Sequence, residues 1–249
     1  MAGVAKASAI DAFESNIADA QMLVGLSRAL DNRRVYRMRE ELREKVGTAL
    51  GVTRKQRAGL DCIESDDLFV VLKATGSITR DDLTEEALRP LLRQAVVAVC
   101  AAVETYVADR VMELFGPAIK QPDLPPRLAA LPMTVGDWHL IERDYTRRGW
   151  GLRDVVRRQV ESLASASPSE VAKLFSAVGV ADLFRRVDKE RGVGKGRSTE
   201  QLNDVVDRRN RIAHAGDRKG RGRANISVDE VDCHRAVARE IVEAIEALT

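Results

Sequence analysis

The sequence predicts an all-α fold, and three observations carry that expectation. Apolar residues recur at spacings of three and four and seldom at two. β-Branched residues do not gather between turn signals, and two S-x-x-[E/Q] strings stand where periodic apolar segments begin. No strand is expected. A chain of 249 residues can bury one substantial core, or one core with a smaller helical lobe.

Residues 5–30 and 33–50 read as two amphipathic helices forming an N-terminal hairpin, the second with the alternating charge of a solvated face from Arg37 to Lys45. Residues 52–80 hold a short apolar piece, Leu68 to Leu72, then Thr75, Gly76 and Ser77 as a breaker. An acidic turn from Asp81 to Leu88 leads to Pro90, which suits a helix start, and the segment from there to Phe115 is apolar nearly all round. Such a helix must be central. Gly116 and Pro117 are expected to end it, and the five prolines from Pro117 to Pro132 mark a connection.

Four shorter helices follow, at about 135–145, 151–165, 168–178 and 181–190. The basic string from Gly192 to Arg197 lacks GxxxxGK[ST] spacing and a preceding strand, so it reads as a flexible linker and not a phosphate loop. Ser198 and Gln201 form the first capping box. It predicts a helix from about Thr199 to the neighbourhood of His214, closed by Gly216. Ser227 and Glu230 open the last helix, striped by Val237, Ile241, Ile245 and Leu248. The division expected is an N-terminal helical region, 1–80, and a helical domain, 86–249.

Forty basic against 38 acidic side chains leave a formal charge of +2, so any polyanionic partner must be recognised locally. Cys62, Cys100 and Cys233 are odd in number, far apart and not spaced as metal-binding pairs, which suits a reducing, cytoplasmic setting. Asp11, Glu14 and Asp19 interrupt the N-terminal segment, so no export signal is expected. The longest apolar run, Ala95 to Val103, is about half of what a bilayer requires, so no membrane association is expected either.

One residue stands against the pattern. Leu202, Val205, Val206, Ile212 and Ala213 define the core-facing side of the penultimate helix, and Arg209 falls within that stripe. A guanidinium keeps its proton, and burying it without an anion costs several kcal/mol. Two readings follow. Either an acid on the central helix neutralises Arg209 while His214 caps the helix end, or Arg209 lines a cleft that receives an anion. Asn210 and His214, four apart, share a face on which the amide can orient the imidazole. Arg209 and His214 are five apart, about 140° in an unbroken helix, so a long side chain or a helix end just before His214 is needed to bring them together. Between Asp207 and Arg223, seven basic residues (Arg208, Arg209, Arg211, Arg218, Lys219, Arg221 and Arg223) outnumber two acidic ones, a landing place for phosphates.

At these residues the sequence resembles the HEPN superfamily, marked by an R-x4-6-H motif with a polar residue after the arginine. Arg209, Asn210 and His214 occupy those positions, and the string RRN-x-IAH-x-GD is similar to the RiboL-PSP-HEPN branch. The likeness spans roughly residues 86–249, with extra short helices between the central helix and the motif. It implies a four-helix core with inserted short helices, pairing with a second copy so that two motifs face one another across a cleft. It also implies a metal-independent endoribonuclease without cofactors, a hydrolase serving as toxin or in defence or stress response, with RNA, a homodimer partner and an antitoxin or defence-system protein as associates. In that scheme His214 is the general acid/base, Arg209 stabilises charge on phosphorus oxygens, Asn210 orients either, and Glu104 holds Arg209. Arg208, Arg211, Arg218 and Lys219 bind RNA. The alternative expectation is a non-catalytic HEPN-like module that binds RNA or a protein through the same cleft.

The remaining candidates have plainer readings. Cys233 and His234 point to different helix faces and lack further ligands, so His234 is expected to be a partly buried structural residue and no metal site is expected. His139 reads as a surface or packing residue. Trp138 and Trp150 are expected to pack in the core, because ten aromatics in the chain show no basic interleaving.

Overall fold

The computed structural model describes residues 7–31, 35–36, 38–57, 60–64, 69–72 and 76–249. The fold is predominantly helical, as the periodicity predicts. Its helices are α1 (Ala9–Leu30), α2 (Glu40–Ala49), α3 (Arg54–Arg57), α4 (Glu85–Ala118), α5 (Pro126–Ala129), α6 (Val135–Asp144), α7 (Arg148–Leu163), α8 (Pro168–Ala177), α9 (Leu183–Glu190), α10 (Arg197–Ala215) and α11 (Val228–Leu248). Residues 5–6, 33–34, 37, Leu68 and Thr75, which the sequence assigns to helices, an apolar piece or a breaker, lie outside the described residues.

The chain divides into two compact units. One comprises residues 1–18, 96–224 and 232–249; the other comprises 19–95 and 225–231. Residues 1–18 therefore group with the C-terminal helices and not with the rest of the first 80.

The larger unit is a predominantly helical body. Phe13, Val99, Tyr106, Met112, Phe175, Leu183, Leu202, Val205, Ile241 and Ile245 are buried in it. The rings of Phe13 and Tyr106 meet edge to face, centroids 6.0 Å apart. The Tyr106 hydroxyl donates to Glu246 at 2.9 Å. Burial, then the Glu246 carboxylate, push that phenol far above its ordinary range.

The smaller unit corrects the expectation of no strand. A three-stranded antiparallel sheet orders β1 (Val35–Tyr36), β2 (Asp61–Glu64) and β3 (Phe69–Leu72), with Ile63 opposite Val70. Leu83 and Leu88 form a small core with Leu30, Val70, Leu72 and Leu91. The second helix begins only at Glu40 because β1 takes up preceding residues. Gly47 lets α3 approach: a Cβ there would lie 2.6 Å from Cγ of Arg57.

The central helix runs further than expected at both ends. Its first turn is fixed by Thr84, whose hydroxyl accepts from the Ala87 amide at 3.2 Å, so Pro90 sits inside the helix and not at its start. Gly116 and Pro117 do not stop it; the helix continues to Ala118, and the Ile119 amide still donates to the Phe115 carbonyl at 3.0 Å. By length and composition α4 could cross a bilayer, yet 56% of its most apolar window is buried within the protein.

The four helices α6 to α9 match the expected positions closely. α6 opens on a reciprocal cap in which Thr134 accepts from the Asp137 amide and Asp137 accepts from the Thr134 amide, each at 3.0 Å. Gly151 brings α7 onto α6, since a Cβ there would lie 2.9 Å from Ile141 and Tyr145 side-chain carbons. The tryptophans are the correction in this region: Trp138 is 46% and Trp150 is 61% exposed. Both lie on the outer surface of this helix pair, not in the core.

Candidate functional site

Helix α10 carries the motif, and its start differs from the expected capping box. Asp188 on α9 is buried and accepts from the amides of Gly196 at 2.6 Å and Ser198 at 2.9 Å, supplying the acceptors that a helix start requires. The helix therefore begins at Arg197, with Gly196 as N-cap at φ +83°. Ser198 is left inside the helix, where its hydroxyl accepts from Arg191 at 2.7 Å, and Arg191 also binds Glu240 on α11 at 2.6 Å. The segment 192–197 is thus a fastened corner and not a loose linker. Burial works to raise the Asp188 pKa, but the Ser198 and Gly196 hydrogen bonds outweigh it and hold the carboxyl below its ordinary value.

Along α10, Leu202, Val205 and Val206 are buried as expected, whereas Ala213 is exposed and Ile212 half-buried. The buried cation on α10 is Arg208. Its side chain is 4% exposed, and Nη1 donates at 2.7 Å to Asp217, which is 0% exposed. This corrects the assignment of Arg208 to RNA: its guanidinium faces inward onto a carboxylate.

Arg209 is half-buried and ion-paired with Glu104 on α4, side-chain exposures being 23% and 29%. The Glu104 carboxylate also accepts from the Ala166 amide at 3.4 Å. Glu104 is thus the acid on the central helix that pairs with Arg209. Beneath them Cys100 donates to the Val205 carbonyl at 3.8 Å. Burial pushes its thiol up to about 11, the Arg209 guanidinium opposing and Glu104 adding to the rise.

The helix does not break before His214; it continues to Ala215 and closes on Gly216 at φ +58°. His214 therefore stays about 140° around the axis and about 7.5 Å along it from Arg209. Among the described residues neither Asn210 nor His214 has a side-chain hydrogen bond, so the amide does not hold the imidazole.

Beyond Gly216 the chain reverses. Asp217 also has positive φ, +58°; its amide donates to the Arg211 carbonyl at 2.9 Å and its carbonyl accepts from Ala224 at 2.7 Å. These bonds seat a two-stranded hairpin of β4 (Arg218–Lys219) and β5 (Gly222–Arg223), with Arg218 opposite Arg223. Gly220, at φ +61°, takes the first of its two turn positions, as a II′ turn requires. His214, Arg218, Arg221 and Arg223, with Ala215 and the glycines 216, 220 and 222, line an open groove of about 1000 Å³. Arg209, Asn210, Arg211 and Lys219 are not in its lining; Arg211 and Lys219 are exposed outside it.

Sequence reasoning assigned no role to Arg221 and Arg223 individually. Their signal was the alternation of Gly220, Arg221, Gly222 and Arg223, which a two-residue turn converts into a rim of cations. Among the described residues, no three His, Cys, Asp or Glu side chains gather as they would round a metal ion.

Comparison of the chain with family models, curated proteins and solved structures finds no match. The functional reading therefore rests on the motif and its surroundings.

Proposed function

We propose that the chain is a metal-independent endoribonuclease of HEPN type, similar to the RiboL-PSP-HEPN branch, acting as a homodimer in a toxin, defence or stress setting. One observation carries the reading: an exposed imidazole, His214, shares an open groove with three arginines, five residues after an arginine held by a carboxylate. RNA contains its own nucleophile. His214, neutral, takes the proton from a ribose 2′-hydroxyl as that oxygen attacks phosphorus, or, protonated, delivers one to the departing 5′-oxygen. The bond to the 5′-oxygen breaks, leaving a 2′,3′-cyclic phosphate and a 5′-hydroxyl. The groove arginines, and Arg209 from the facing copy, stabilise charge on the non-bridging oxygens.

The unbroken helix supports the two-copy arrangement. Arg209 and His214 of one chain point to different sides of α10, so a second copy is the economical way to bring an arginine of one motif to the histidine of the other.

Labelled RNA incubated in EDTA with wild type, His214→Ala and Arg209→Ala tests the proposal. Cleavage by wild type, with a loss of about a hundredfold or more in each variant, is expected. Equal rates from all three remove these residues from the mechanism. Light scattering should show a dimer at micromolar concentration, and a monomer that still cleaves RNA would remove the facing-motif scheme.

The ion pair between Arg209 and Glu104 favours a second reading, a non-catalytic module that binds RNA or protein through the groove and keeps Arg209 for structure. RNA retention without cleavage by any preparation would favour it.

A further inference from the structure

The two tryptophans that the sequence assigns to the core lie outside, and each is roofed by an arginine. The Arg148 guanidinium stands 5.7 Å from the Trp138 ring centre, and that of Arg147 stands 5.2 Å from Trp150. The arginines are adjacent in sequence, in a stretch where every residue from Thr146 to Trp150 is exposed. Burying large aromatic rings in the core is the usual outcome, and this chain leaves both of its tryptophans in water.

The helix pair beneath them is closely packed. Gly151 lets α7 close onto α6, and the Tyr145 hydroxyl donates to Asp154 at 2.7 Å across that junction. Glu142 orients Arg148 from α6 with an oxygen 2.8 Å from its Nε. Among the described residues no carboxylate lies within ion-pair distance of Arg147. Between Asp137 and Glu161 six arginines stand against five acids (Asp137, Glu142, Asp144, Asp154 and Glu161), several of them paired with those arginines, so the local excess of positive charge is small.

Flat exposed rings beside guanidinium groups are what a single-stranded polyanion with flat bases requires. The rings offer stacking surfaces that any base can use, and the arginines meet the phosphates between them. A protein partner would match the rings but gain little from the two guanidinium groups set over them. Duplex RNA hides its base faces and would match only the charge.

We propose that Trp138, Trp150, Arg147 and Arg148 form a stacking platform for single-stranded RNA, separate from the His214 groove. The inference rests on the reading that this chain engages RNA but not on cleavage. The platform holds an unpaired stretch of strand and so makes the chain prefer single-stranded over duplex substrates.

The test uses the fact that these are the only two tryptophans in the chain, so tryptophan emission reports this surface alone. The full chain is titrated with a 2′-O-methyl oligouridine dodecamer, which lacks the free hydroxyl needed for cleavage, and with the matching duplex. Parallel titrations use phosphatidylserine vesicles. Saturable quenching by the single strand is expected, with binding weakened about tenfold in Trp138→Ala and in Trp150→Ala and largely kept in Trp150→Phe. Circular dichroism checks that the variants keep their helix content.

Absence of quenching by the dodecamer, equal affinity in a Trp138→Ala/Trp150→Ala variant (read by anisotropy of a fluorescein-labelled dodecamer, since no tryptophan remains), or a response to vesicles alone would each overturn the proposal. The nuclease reading fails separately. Quenching retained in His214→Ala, in a protein that never cleaves RNA, keeps the platform and removes the catalysis. Cleavage without quenching does the reverse.

Discussion

Arg208 and Asp217 lie nine residues apart on either side of a chain reversal, and their side chains meet at 2.7 Å with almost no access to water. The pair is the fastening between the C-terminal half of α10 and the basic hairpin. A buried ion pair is weak testimony for net stability, but removing one partner strands the other charge.

Asp217→Asn and Arg208→Gln are therefore expected to cost about 3–5 kcal/mol each, seen as a fall of about 10 °C in Tm. Asparagine tolerates the positive φ at 217, so the first substitution isolates the charge from the backbone conformation. The combined variant should lose less than the sum of the two, read by urea unfolding. Additive losses would show that the two side chains do not act as a pair.

The groove arginines are expected to act through charge alone. Arg221→Ala and Arg223→Ala should weaken RNA binding by similar factors on every sequence. Each should reduce the slope of log affinity against log salt by about 0.7, the value for one phosphate contact on a single strand. Filter binding at several salt concentrations checks this, and an unchanged slope would place the strand elsewhere.

Asp188 gives a pH dependence with a definite sign. Its folded pKa lies below the ordinary 3.8, so its contribution to stability is complete above that value and is lost as pH falls through the folded one. The stability gap between wild type and Asp188→Asn should be constant from neutral pH to about pH 5 and shrink below about pH 4. A gap that widens on acidification would reverse the assignment.

The thiols should separate cleanly. Cys100 is buried with its thiol raised to about 11, so about one molecule in a thousand carries the thiolate at pH 8, whereas Cys233 is exposed. Iodoacetamide labelling followed by peptide mass spectrometry should find Cys233 modified and Cys100 intact until urea is added. Equal labelling of both in the folded protein would contradict the packing around Arg209.

Much of the helical framework was legible because periodicity is a local property. Val205 and Val206, or Ile241 and Ile245, announce their faces within two turns. The strands were not legible in that way, since Ile63 meets Val70 only through pairing between separate segments. Glu104 was legible only through the family resemblance, since Asp109 and Glu113 stand on the same helix and periodicity does not choose among them. The choice between Arg208 and Arg209 was not, because neighbours differ by about 100° and a short stripe tolerates either in the interior. Asp217 decides the matter, after a turn that no periodic pattern describes. The capping box failed for a related reason: Asp188, ten residues before Ser198, supplies acceptors that a local motif cannot foresee.

The hairpin at residues 218–223 has consequences for how this surface can change. Its root is fixed by Asp217 and its tip by a two-residue bend, so the intervening positions carry electrostatic identity with little duty to the bundle. Drift or redesign there can exchange the arginines for other side chains and retune the preference of the mouth for one ligand over another. Residue 217 has no comparable freedom, and the tolerance of this rim to variation ends at that aspartate.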